Sequence, residues 1–201
     1  MRFLKENFDS IIKLLVNQIG IAIFAFFLYT AAPEINTDPS TALLIKVLIS
    51  LFSVIFYFAL IYNVTWEIGA KDKIRIDAGR VVNNPLKGLW LGLFANATNF
   101  IVIGLSLILF CIYLLGGPGA FYSIFLVLNA IFRIFVSMYL GMIQGIFASF
   151  ADNTDLYYLL QTIGFLVFSL LSALFIFVSY IMGLKDYRIF GKKNNTKSSD
   201  D

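Results

Sequence analysis

The chain has 201 residues, of which 60% are hydrophobic and 13% charged. A soluble domain runs at roughly 45–50% apolar and about 25% charged, so this chain calls for lipid as its second solvent. The net charge is only +3, and the basic residues sit in short segments between apolar blocks rather than on a water-facing surface, which excludes a nucleic-acid binder.

There is no histidine, and the single cysteine, Cys111, lies inside an apolar run. An internal disulfide and a His-based metal or acid–base site are excluded, and Cys111 reads as a small lipid- or core-facing side chain. Residues 1–13 put Phe8, Ile11, Ile12 and Leu15 at helical spacing, opposite Lys5, Glu6 and Asp9. That pattern predicts a short interfacial helix leading into the first span. Residues 14–32 form an uncharged run of spanning length. A cleavable signal peptide ending at Thr30-Ala31-Ala32 is the competing reading; the length of the run and Asn17 and Gln18 inside it favour a span.

Residues 33–40 (PEINTDPS) are a turn-rich loop with two prolines and no Lys or Arg. The second span covers about 41–64, with Lys46 near one end, where it can snorkel. Residues 66–87 (WEIGAKDKIRIDAGRVVNNPLK) are the one long internal polar segment, with Trp66 and Trp90 on its two sides. This is the look of a basic cytoplasmic loop with aromatic anchors at headgroup level. Lys71, Lys73, Arg75, Arg80 and Lys87 are its candidate contacts to anionic lipid headgroups or a cytosolic partner.

The third run is 88–115, and Gly88 and Gly92 share a face on which another helix can approach closely. Asn96 and Asn99 lie further in. GGPG (116–119) is a turn, since a phosphate-cradling loop needs a following Lys-Ser/Thr. The fourth run, 121–150, holds Asn129, Arg133, Gln144 and a second small-residue pair, Gly141 and Gly145. ADNTD (151–155) is acidic. The fifth run is 156–184, and residues 185–201 are a basic, then polar tail expected to be largely disordered and cytoplasmic. Residues 1–184 thus read as a single transmembrane domain.

The basic residues raise a parity problem. Thirteen of the 15 fall at the N-terminus, in 66–87 and in the tail, whereas 33–40, 116–120 and 151–155 have none. The positive-inside rule then puts both termini and 66–87 in the cytoplasm. An even number of crossings must follow Lys87, yet three apolar runs do. The run flanked by two basic-free segments is 121–150. We therefore expect it to enter from outside, bend near Gly141 and return, with its backbone buried in protein. The alternative is five plain spans with an external tail. The fold class is an all-α membrane protein, a bundle of five long apolar helices, four or five of them spanning, with 121–150 re-entrant or broken.

Arg133 is the sharpest chemical signal. No carboxylate falls within an apolar run, so Arg133 has no evident counter-ion at its depth. Asn129 is one helical turn away, and Asn96, Asn99 or Gln144 can offer carbonyl oxygens. These five residues form a candidate polar or anion site within the membrane. The competing reading is an arginine that ties helix ends together or snorkels to the interface. No nucleophile–base pair, buried acid pair or carboxylate cluster for a two-metal centre is present, so no enzyme, cofactor or metal is expected. The fragment Asp77-Ala-Gly-Arg80 is similar to the start of the CDP-alcohol phosphotransferase motif, but the later Gly and paired Asp positions are absent.

The stretches WEIGAKDKIRIDAGR, PLKGLWLGLFANATNF and the late GLKDY resemble an uncharacterised family of small bacterial polytopic integral membrane proteins. The likeness covers the middle third and the tail, and implies no activity. The leading functional expectation is a non-enzymatic accessory or permease-like subunit that packs against a membrane partner subunit or a second copy. The alternative is a small-solute transport component, such as the substrate-binding membrane subunit of a vitamin-type uptake system, with an anion contact at Arg133.

Overall fold

The computed structural model describes residues 2–35 and 38–188, so the expectation of a disordered tail lies mostly outside the described residues. Seven α-helices run in order: α1 (Arg2–Ile35), α2 (Pro39–Asp77), α3 (Lys87–Ala95), α4 (Ala97–Leu114), α5 (Gly119–Phe135), α6 (Ser137–Ile146) and α7 (Thr154–Leu184). No strand occurs among the described residues. Four helices are long and apolar enough to cross a bilayer: α1, α2, α4 and α7. The α5–α6 pair passes the same test only as a unit, and it is bent by 114°.

Contacts give the two ends of the bundle. At one, Phe3 of α1 stacks on Phe94 of α3, and Trp66 of α2 donates its indole N–H to the Tyr187 carbonyl just beyond α7. This end gathers most of the described basic residues, and we call it the basic end. At the other end, the far end, Tyr122 of α5 donates to Asp155 at the start of α7 (2.9 Å).

The path of 119–146 follows from side-chain registers. Tyr122 meets Asp155, Phe125 meets Tyr158, Asn129 meets Thr162 and Phe132 meets Phe165, a constant offset of 33 residues. Helices in constant register run parallel, so α5 enters beside α7 from the far end. Ser137 then bonds the Ala22 carbonyl, and Gln144 takes the Tyr29 hydroxyl, an equal step of seven residues on α6 and α1. Hence α6 runs parallel to α1, which climbs to the far end. The pair is a bent hairpin that runs in from the far end and turns back towards it.

The turn of this hairpin is at Val136, between α5 and α6, rather than near Gly141. Gly141 is inside α6 because it serves packing instead: its missing Cβ would run into the Lys46 carbonyl of α2 and come 2.5 Å from the Ser50 hydroxyl. No glycine or proline marks Val136. Its bend is held from outside, by the Ser137 hydroxyl donating to the Ala22 carbonyl of α1 and by complete burial of Val136 itself.

Three other boundaries differ from the sequence reading. The interfacial helix expected over 1–13 is continuous with the first span, since Ile11, Leu14, Ile21 and Ala25 keep one buried stripe through α1. The loop expected over 66–87 is helix as far as Asp77, because α2 stays packed on α7 there. The third run is broken at Asn96, whose own side-chain amide bonds the Gly92 carbonyl (3.0 Å) and so competes with the helical ladder. The turn after α4 needs a left-handed residue, which Gly116 supplies at φ +87°. At the start of α2, Asp38 caps the helix, and hydrogen bonds from Ser40 and Thr41 hold its carboxyl below the usual range.

Candidate functional site

Arg133 lies near the inner tip of α5, about 21 Å along it from Gly119 at 1.5 Å per residue. It is partly buried. Its Nε donates to Asn129 Oδ1 (3.1 Å), and one terminal nitrogen donates to Gln161 Oε1 of α7. The guanidinium stands 4.9 Å from the centre of the Tyr158 ring, a cation–π geometry. Asn129 in turn donates to Thr162 (3.0 Å), which donates to the Tyr158 carbonyl. No ion pair among the described residues includes Arg133. Neutral oxygens and one ring face therefore hold a full positive charge deep in an apolar bundle.

A second cation lies among the helices. Lys46 of α2 lies over the Tyr29 ring at 5.0 Å, and the Tyr29 hydroxyl donates to Gln144 of α6. These contacts join α1, α2 and α6, whereas those of Arg133 lie between α5 and α7.

Of the four residues expected around Arg133, the structure joins Asn129 to it, whereas Gln144 accepts from the Tyr29 hydroxyl. It does not join Asn96 or Asn99. Asn99 donates to Asn96 (3.3 Å), and Asn96 faces Ser172 of α7 (3.4 Å), which also bonds the Tyr57 hydroxyl (3.0 Å). That second buried network pins α2, α4 and α7 together. Gln161, Tyr158 and Thr162 are absent from the sequence expectation. The fifth run reads as uncharged, yet Gln161 and Thr162 are adjacent polar residues within it, and that was the available signal.

The glycine faces are occupied within the chain. A Cβ on Gly88 would come 2.6 Å from that of Tyr180, one on Gly92 would come 2.5 Å from the Ala173 carbonyl, and one on Gly145 would come 2.7 Å from Val47. A third close approach, Gly69 on α2 against Gly183 on α7, is absent from the sequence expectation; Thr65 and Ser179, four residues before each glycine, were the available signal.

At the basic end the tryptophans flank the helix tips. Trp66 carries the Arg188 guanidinium 4.2 Å above its ring, and Trp90 stacks on Phe94. Asp72 is buried and accepts from Lys87 (2.7 Å) and the Tyr180 hydroxyl (2.9 Å), with Arg75 at 3.8 Å. Lys71 pairs with Glu67. Lys73 and Arg80 are not drawn into that cluster, and Arg80 is exposed. Among the described residues no group of His, Cys, Asp or Glu has the arrangement of a metal site.

No family model, curated protein or solved structure matches this chain.

Proposed function

We propose that this multi-pass protein of the cell membrane is a non-enzymatic, small-solute transport component that takes an anionic group at Arg133. The supporting observation is the half-buried guanidinium held by Gln161, Asn129 and the Tyr158 face with no carboxylate beside it. Charge at this depth costs roughly 2.5–3.5 kcal/mol on insertion scales, and an anion is the partner that offsets it. A guanidinium edge fits a carboxylate or phosphate in bidentate fashion. A partner-packing subunit is the weaker reading, because Gly88, Gly92, Gly141 and Gly145 are all used inside the chain.

The test is anion binding to the protein in nanodiscs, with benzoate and inorganic phosphate as probes. Arg133→Gln keeps hydrogen-bonding capacity and removes the charge; it is expected to weaken binding at least about ten-fold, as for loss of one charged hydrogen-bonded contact. Equal affinity in both proteins sinks the proposal. Phosphatidylglycerol retained by the parent chain alone, with no soluble probe bound, assigns the anion to a lipid headgroup rather than a solute.

The basic-residue distribution supports a cytoplasmic basic end, with the hairpin entering from outside. In a Cys111→Ser background, Asn84→Cys is expected to react with a membrane-impermeant maleimide only after cells are permeabilised. Labelling of intact cells reverses the orientation.

A further inference from the structure

Because the α5–α6 hairpin turns back at Val136, it leaves space between α1, the α3–α4 break and the inner tip of α5. A cavity of about 140 Å³ fills that space. Most of its wall is apolar, including Leu15, Leu128 and Phe132. Two carboxamides break this wall, Gln18 of α1 and Asn99 of α4, which are only 6% and 3% exposed. Asn99 is bonded to Asn96. Gln18 makes no hydrogen bond among the described residues, although a buried carboxamide without partners is costly.

From this we infer a binding site for a neutral, lipid-soluble, single-ring compound bearing an oxygen substituent, with Gln18 as its hydrogen-bonding partner. Size sets the ring: an apolar cavity of about 150 Å³ is known to accept benzene. Access sets the charge. The exposed rim residues, Ile131 and Phe135, are on the apolar flank of α5, so the occupant arrives through lipid and must be uncharged. The Gln18 carboxamide, which both donates and accepts, sets the oxygen substituent. The site is separate from the Arg133 cluster, which faces α7.

Phenol and toluene, measured by saturation-transfer NMR on the protein in nanodiscs against empty nanodiscs, test this. Phenol is expected to bind the parent chain more tightly than toluene. Gln18→Leu should weaken phenol about ten-fold, the loss of one neutral hydrogen bond, and leave toluene unchanged. Leu128→Trp, which fills the cavity and leaves Gln18 in place, should block both. The inference is overturned if phenol matches the empty nanodisc, if phenol and toluene bind the parent chain alike, or if Leu128→Trp leaves phenol binding intact. A cavity already filled by a lipid chain gives the first of those results.

Discussion

Gly183→Val is expected to cost at least about 3 kcal/mol of stability, the upper range for overpacking, and to leave little folded protein in mild detergent. At this crossing α2 and α7 touch backbone to backbone. A Cβ on Gly183 would lie 3.0 Å from the Ala70 nitrogen and the Gly69 Cα, and the Trp66 carbonyl is closer still. No flexible side chain is present to swing aside, so the helices themselves must part. Their parting would also loosen Trp66 from Tyr187 and Tyr180 from Asp72. Gly104→Ala is the matched control, since nothing lies within 4 Å of its added methyl. That change should be neutral or stabilising by up to about 1 kcal/mol through helix propensity. Unfolding in mixed micelles, followed by circular dichroism, separates the two. A Gly183→Val protein within about 1 kcal/mol of the parent would show that the crossing does not hold the bundle.

The second large effect is at Asp72. Asp72→Ala should cost about 3 kcal/mol, the low end for breaking a buried pair. The Lys87 side chain is 20% exposed, so its ammonium is left mostly dry, and the Tyr180 hydroxyl loses its acceptor. The low end applies because that remaining exposure lets water reach the charge. Arg75 adds little, being 61% exposed and 3.8 Å away. Lys87→Met alone leaves the Asp72 carboxylate, 5% exposed, with only the tyrosine and the distant arginine. The double variant Asp72→Ala with Lys87→Met removes both charges, and should be more stable than either single. If the two losses simply add, the charges are not coupled and the pairing has no energetic weight.

How far this architecture can be read from sequence depends on which force sets each feature. The apolar blocks are visible because lipid acts on every residue of a span. The break in the fourth run is visible because three apolar runs after Lys87 conflict with two basic ends. Arg133 and Asn129 are visible together because four residues make one helical turn. The turn at Val136 is not visible: it is set by a hydroxyl reaching Ala22 and by close packing of α6 on Lys46. The helical continuation of α2 through Asp77 is hidden for a similar reason. Its charged residues look like a loop, and only contact with α7 buries Asp72 on the inward face. Gln161, the partner that completes the Arg133 site, is 28 residues away and is brought close by the parallel course of α5 and α7.

The unbroken course of α2 has a mechanical outcome. Its 39 residues make a rod about 58 Å long, against about 40–45 Å for a bilayer with its headgroups. One stiff shaft therefore joins the latch at Asp72, at the basic end, to the seat of the hairpin at Lys46 and Ser50. A push that tilts its protruding tip is delivered to the hairpin without an intervening joint, as a tiller moves a rudder.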